Sequence, residues 1–277
     1  MKQRYLKMKN KIRTQKLIID ERMRRIEKEK LKTLGYQLLE IKQSKKVYPE
    51  ISSHVDIFTC KIGEKIIIEP SQYNNIKSQL QDGDKIQRGN EEIEANYPYD
   101  IKYNVCTIGN KAIHNFKYTD LKIKEELETQ GYELINTTQG YTNCSIAVID
   151  DNSAIVTDKG LYKILQKHNI DVLYLEYELD IKLLNNRGYS NRKGFIGGAI
   201  SRIGENIIVF GELSKIDKNE QIKNFIEQRN LNIIEFKGLD VIDYGGIVEI
   251  WEGMQNVYNN TIFKNKRIRN TNRNKKL

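Results

Sequence analysis

One short design is written four times along this chain, and it constrains the fold more than any other feature. An apolar run reaches a tight polar turn, and a second apolar run follows. The four copies are Ile62-Gly63-Glu64-Lys65-Ile66-Ile67-Ile68, Ile108-Gly109-Asn110-Lys111-Ala112-Ile113, Ile149-Asp150-Asp151-Asn152-Ser153-Ala154-Ile155-Val156 and Ile203-Gly204-Glu205-Asn206-Ile207-Ile208-Val209. Gly, Asn and Asp tolerate the positive φ that a two-residue hairpin turn needs. Recurrence at roughly 40–50 residues marks a repeat architecture.

A second junction recurs between the hairpins. Leu31 to Leu38 and Leu127 to Leu134 share the pattern Leu-x-Thr-x-Gly-Tyr-x-Leu, and Asn169 and Asn230 stand at two similar places. Gly and Asn are the residues that take the left-handed conformation just past a helix end. Each of these segments therefore reads as helix, cap, strand. A helix is expected from Pro70, with proline in its first turn. Others are expected from Asp120 to about 130, from Asp158 to about 168 and over about 217–229, with strands at 132–136, 171–176 and 231–236. The unit is ββαβ. Residues 1–34 read as a basic helix, with Asp20 capping its second half, before a strand at 36–41. That helix and strand, and the segment from Gly245 to Ile250, read as the two halves of a fifth unit that close a ring. Residues 82–90 and 183–196 read as long polar loops.

Charge divides the chain. The formal net charge is +9, yet residues 1–32 carry 13 Lys/Arg against 4 Asp/Glu, and residues 264–277 carry 7 Lys/Arg and no acid, which leaves −7 for residues 33–263. Basic tails of this kind can hold RNA, a ribosome or an anionic surface. Three cysteines, Cys60, Cys106 and Cys144, show no CxxC or zinc spacing. No run approaches the ~20 apolar residues of a membrane span. A cytoplasmic protein is expected, with a basic extension at 1–32, a body at 33–258 and a basic tail at 259–277. No cofactor or metal is implied.

The strings His54-Val55-Asp56, Tyr97-Pro98-Tyr99-Asp100, Lys117-Tyr118-Thr119-Asp120, Gly140-Tyr141, Thr157-Asp158-Lys159-Gly160, Phe195-Ile196-Gly197-Gly198 and Asp243-Tyr244-Gly245-Gly246 resemble an uncharacterised bacterial family assigned to the guanidino-group-modifying, or pentein, fold. That resemblance implies an α/β propeller of about five ββαβ repeats around a pseudo-fivefold axis. It also implies a central funnel in which paired carboxylates hold a cationic group and a cysteine after a Gly-Gly pair attacks the guanidinium carbon. Here Gly245-Gly246 leads into Ile247-Val248-Glu249, and no cysteine follows Cys144. The resemblance therefore implies a pentein that binds a small guanidino- or amino-acid-like ligand without its usual nucleophile. The alternatives are a non-enzymatic module that binds RNA or the ribosome, and an amidinotransferase- or deiminase-like hydrolase that uses Cys144.

The candidate ligand-binding residues are His54, Asp56, Asn104, Asp158, Gly197, Gly198, Asp243 and Gly246, with Cys144 as the candidate nucleophile. His54, Asp56, Phe58 and Cys60 alternate, so a strand would place them on one face, with His54 and Asp56 about 7 Å apart. Cys60 and Cys106 occupy equivalent places and read as buried apolar residues. Asp158 and Asp120 each read as a helix N-cap that could instead meet a cation. His168 suits a helix C-terminus.

Overall fold

The computed structural model describes residues 15–80, 85–176 and 178–250. Five three-stranded sheets share one pattern: a first strand pairs antiparallel with a middle strand, which pairs parallel with a third across a helix. In one sheet, β1 (Lys16–Asp20) is the middle strand, α1 (Arg25–Thr33) crosses over, and β2 (Gln37–Ile41) is third. The next begins with a single helical turn, α2 (Val55–Phe58), and continues as β3 (Thr59–Ile62), β4 (Lys65–Ile68), α3 (Pro70–Ser78) and β5 (Ile86–Arg88). A third holds β6 (Cys106–Ile108), β7 (Lys111–His114), α4 (Leu121–Thr129) and β8 (Glu133–Asn136). The fourth holds α5 (Thr142–Ser145), β9 (Ile146–Asp150), β10 (Ser153–Val156), α6 (Lys159–Lys167) and β11 (Asp171–Tyr174). A hairpin of β12 (Lys182–Asn185) and β13 (Gly188–Lys193) intervenes. The fifth sheet holds α7 (Ile196–Ala199), β14 (Ile200–Ile203), β15 (Asn206–Val209), α8 (Asn219–Glu227) and β16 (Asn232–Ile234). Finally β17 (Val248–Ile250) returns to the sheet of β1, pairing antiparallel with it in the register Leu17 to Glu249.

The turns follow from their residues. Gly63, Gly109 and Gly204 have φ of 55°, 55° and 59°, while the residue after each stays negative, which is the type II′ arrangement. The third predicted hairpin turns differently. Asn152 N–H donates to Asp150 Oδ1, and the register slips between Ser153 and Ala154. Each helix cap sits two residues before its strand: Gly35 and Gly131 among the glycines, Asn169 (φ 59°) and Asn230 (φ 55°) among the asparagines. Middle strands are buried on both faces, so they read as unbroken aliphatic runs: Ile66, Ile67 and Ile68 are all buried, as are Ile207, Ile208 and Val209.

Four expectations need correction. Lys16–Asp20 is a strand, so residues 16–33 are elements of a sheet and not an appended helix; Asp20 accepts from Arg22 and Ser53 and caps nothing. Leu17-Ile18-Ile19 is fully buried between two partner strands, one of them distant in sequence. Within the polar 82–90 loop, Ile86–Arg88 is the third strand beside β4. The loop at 183–196 contains the β12–β13 hairpin and the start of α7. His54 does not begin a strand: it is the N-cap of α2, and the strand starts at Thr59. Residues 1–14 and 259–277, with most of the predicted basic tails, lie outside the described residues. No helix among the described residues is long and apolar enough to cross a membrane.

Candidate functional site: a sealed polar centre

The segments entering the first strands converge. Three are single helical turns, α2, α5 and α7; the others are the loops before β6 and β17. Asn104, from the loop before β6, ties two of them together. Its Oδ1 accepts from Asn143 N–H (2.9 Å) and Cys144 N–H (3.2 Å), and its Nδ2 lies 3.2 Å from the Asp56 carbonyl and 3.1 Å from Cys144 Sγ. Asp243 fixes another pair. Its Oδ2 accepts from Phe195 N–H at the entry to α7, and its Oδ1 from Gly245 N–H. Asp56 N–H donates to the Gly245 carbonyl, and Tyr244 and Gly246 N–H both donate to the Gly198 carbonyl.

Glycine makes this crossing possible. A Cβ on Gly198 would stand 1.8 Å from Asp243 Oδ1, and one on Gly197 would stand 2.2 Å from the Asn143 carbonyl oxygen. These backbones meet closer than any side chain allows.

His54, Asp56, Asn104, Cys144 and Asp243 are each at most 2% exposed. Both ring nitrogens of His54 lack a hydrogen-bond partner, and neither carboxyl oxygen of Asp56 has one of ordinary geometry, although the Cys144 thiol and the Asn104 amide lie close to it. His54 Nδ1 lies 3.6 Å from Asp243 Oδ1, too far for a hydrogen bond. Burial lowers the His54 pKa, against the pull of Asp243 and Asp20, so the pair is not a formed ion pair at neutral pH. Burial raises Asp56 to about 6, with the Cys144 thiol and the Asn104 amide opposing it. Asp243 is also raised by burial, with His54 opposing and the Asp56 charge adding to the rise. Burial, then Asp56 and Asp243, push the Cys144 thiol well above its usual value. At pH 7 the Asp56 carboxyl, raised to about 6, is largely ionised while the Cys144 thiol stays protonated. The centre can attract a donor-rich cation.

One cavity borders the centre and a second lies farther out. One, of about 200 Å³, is lined from all five sheets, by Thr59, Lys61, Thr107, Asn143, Ser201 and Glu249 among others; Gly197 and Gly246 are also in its wall. The other, of about 630 Å³, is lined in part by Tyr48 and Tyr141, which pack on the cluster that includes Cys144.

The structure therefore brings together His54, Asp56, Asn104, Cys144, Gly197, Gly198, Asp243 and Gly246. It leaves Asp158 apart: that carboxylate accepts from Leu161 N–H at 2.7 Å and caps α6. Cys144 lies in a helical turn, not a strand. Cys60 and Cys106 are fully buried in β3 and β6, and burial raises both thiols. Three residues that line the larger cavity, Tyr48, Asp100 and Tyr141, were not singled out in the sequence. Tyr48 gives no local signal, but Asp100 and Tyr141 end two of the strings quoted above.

The sequence profile of the Family of unknown function DUF6873 matches residues 18–248. The chain belongs to this family. No curated protein matches it. Among solved structures, it is similar to DDAH from Pseudomonas aeruginosa, a cysteine-to-serine mutant complexed with citrulline (10% identity, TM-score 0.52, 86% of this chain and 98% of that one). It is similar to the C. jejuni agmatine deiminase (13% identity, TM-score 0.51, 87% and 94%). A dimethylarginine dimethylaminohydrolase adduct with S-methyl-L-thiocitrulline also matches (9% identity, TM-score 0.51, 86% and 99%). The fold of this family member is that of the pentein, guanidino-group-modifying enzymes.

Proposed function

We propose that this protein binds a small cationic, guanidino- or amino-acid-like ligand at the sealed centre. In this reading the five sheets are blades of a propeller about a pseudo-fivefold axis, closed where β17 meets β1, and the protein works in the cytoplasm. One observation carries the ligand: the four polar atoms of His54 and Asp56 that are buried without a hydrogen bond of ordinary geometry. Each such atom costs about 1–3 kcal/mol when left unsatisfied. A guanidinium presents five N–H donors and no acceptor, which suits two carboxylates and a neutral imidazole. The solved neighbours named with citrulline and agmatine support the ligand class by analogy of fold alone.

Calorimetric titration with arginine, agmatine and methylated arginines tests this. Binding should appear with at least one of them and weaken about 100-fold in Asp56→Asn. Heatless titrations, or affinity indifferent to Asp56→Asn, would remove the reading.

A hydrolytic reading has one observation in its favour, the Cys144 thiol beside Asp56. A bound cation would offset the charge that keeps this thiol protonated. Alkylation of Cys144 by iodoacetamide should then quicken with ligand present; unchanged labelling leaves binding as the activity. The RNA or ribosome reading rests on basic tails of which residues 1–14 and 259–277 lie outside the described residues and residues 16–33 belong to a sheet, and no contact here favours it.

A further inference from the structure

The smaller cavity, about 200 Å³, is built in register by all five sheets. Immediately before Ile62, Ile108, Ile149, Ile203 and Ile250 stand Lys61, Thr107, Val148, Arg202 and Glu249, and all five line it. Two positions earlier stand Thr59, Val105, Ile146, Ile200 and Ile247, which line it too. The chain runs outward from the polar centre along β3 and β9, so this mostly aliphatic tier separates the outer tier from Asp56 and Cys144.

Each first strand is the edge of its sheet. In three sheets a two-residue turn closes on a hydrogen-bonded pair, Ile62 with Lys65, Ile108 with Lys111 and Ile203 with Asn206. The antiparallel alternation then turns the N–H and C=O of Lys61, Thr107 and Arg202 away from the middle strand. Neighbouring sheets meet some of the carbonyls on that side. The Lys61 carbonyl accepts from Thr107 Oγ1 at 3.4 Å, and the Glu249 carbonyl accepts from Lys61 Nζ at 3.0 Å. An ammonium has three N–H groups, and the Glu249 carbonyl takes one. Donors therefore outnumber the carbonyls left to meet them. The Arg202 side chain is engaged by Asp151 and by the Gly204 carbonyl, so Lys61 is the cation the cavity can use. Burial lowers the Lys61 pKa, with Glu249 and Glu64 opposing, and an anion beside it would favour the charged form.

We propose that this cavity binds a small oxyanion, a carboxylate or phosphate group, held by the Lys61 ammonium and the backbone N–H groups of Lys61, Thr107 and Arg202. The site is separate from the polar centre and does not depend on the ligand proposed there.

Thermal melts of the full chain in millimolar phosphate, acetate or chloride at matched ionic strength test this. Phosphate or acetate should stabilise more than chloride, and Lys61→Met should weaken the apparent affinity about tenfold or more. An increment that survives Lys61→Met unchanged is a general salt effect and overturns the site, as does no increment in the unsubstituted chain. Glu249→Gln removes an opposing charge and should tighten phosphate binding; weaker binding counts against the site. A second measurement needs no variant. Reductive methylation with formaldehyde and cyanoborohydride, read by peptide mass spectrometry, follows the neutral amine. Phosphate should slow Lys61 about tenfold relative to exposed Lys32. Equal rates with and without phosphate, or equal slowing of both lysines, overturn the proposal.

Discussion

Two regions of this chain bury a histidine and a carboxylate, and they treat them in opposite ways. At the end of β7, His114 Nδ1 meets Thr119 Oγ1 at 2.6 Å and Nε2 meets the Gly140 carbonyl at 2.9 Å. Nearby Asp120 accepts from the N–H groups of Asn90, Glu91, Lys122 and Ile123 and from the Tyr103 hydroxyl. At the centre, His54 and Asp56 are buried as deeply; the His54 ring meets no hydrogen-bond partner, and the Asp56 carboxyl has only the off-geometry approach of the Cys144 thiol and the Asn104 amide. The first pair is architecture, because folding supplies every partner. The second is an unfinished set of interactions, which only something outside the chain can complete. Burial alone does not separate a structural histidine from a site histidine; the count of unmet bonds does.

The largest expected effect is in acid. Burial pushes His114 down to about 3. The unfolded chain, with an ordinary histidine, takes up the proton first, so stability is full above pH 6.5 and falls as pH drops toward 3. The loss is on the order of 5 kcal/mol across that window. Unfolding free energies followed by urea titration at several pH values should show a shallower fall in His114→Gln. Next is Asp120→Ala, which strands five donors and should cost roughly 4 kcal/mol at pH 7 in the same assay. Asp56→Asn should act with the reverse sign. A carboxyl raised from 3.8 to about 6 weakens the fold as pH rises through that window, by about 3 kcal/mol at pH 7. The variant should gain most of that stability at pH 7 and little at pH 4, while losing ligand. If Asp56→Asn destabilises as Asp120→Ala does, the contrast between the two regions collapses. The smallest effect belongs to Asp158→Ala, a lost helix cap worth about 1 kcal/mol, with ligand affinity unmoved.

Much of the local structure was legible because it is written locally. Three type II′ turns sit on Gly-x pairs, four left-handed caps fall on Gly35, Gly131, Asn169 and Asn230, and Asp120 and Asp158 cap the helices they precede. Strands whose existence depends on distant partners were not legible. Lys16–Asp20 lies among charges that mimic a helix, and only Gln37–Ile41 and Val248–Ile250 make it a strand. Ile86–Arg88 is too short to show a period. At the site, residue types were readable but geometry was not. The alternation at His54 and Asp56 imitates a strand where the backbone makes a helical turn. Asn104 shows no pattern of its own, yet it holds Asn143, Cys144 and the Asp56 carbonyl at once. Side-chain bridges between loops leave no periodic trace.

The pairing of β17 with β1 has a consequence for synthesis. β1 leaves the ribosome early, but its antiparallel neighbour is encoded more than two hundred residues later. At about 5–20 residues per second, that neighbour follows roughly 10–50 s behind. For that interval Leu17, Ile18 and Ile19 expose an aliphatic edge with one flank unzipped. The nascent chain is therefore expected to remain protease-sensitive near β1 until its last sheet strand emerges, whatever the remaining sheets have achieved by then.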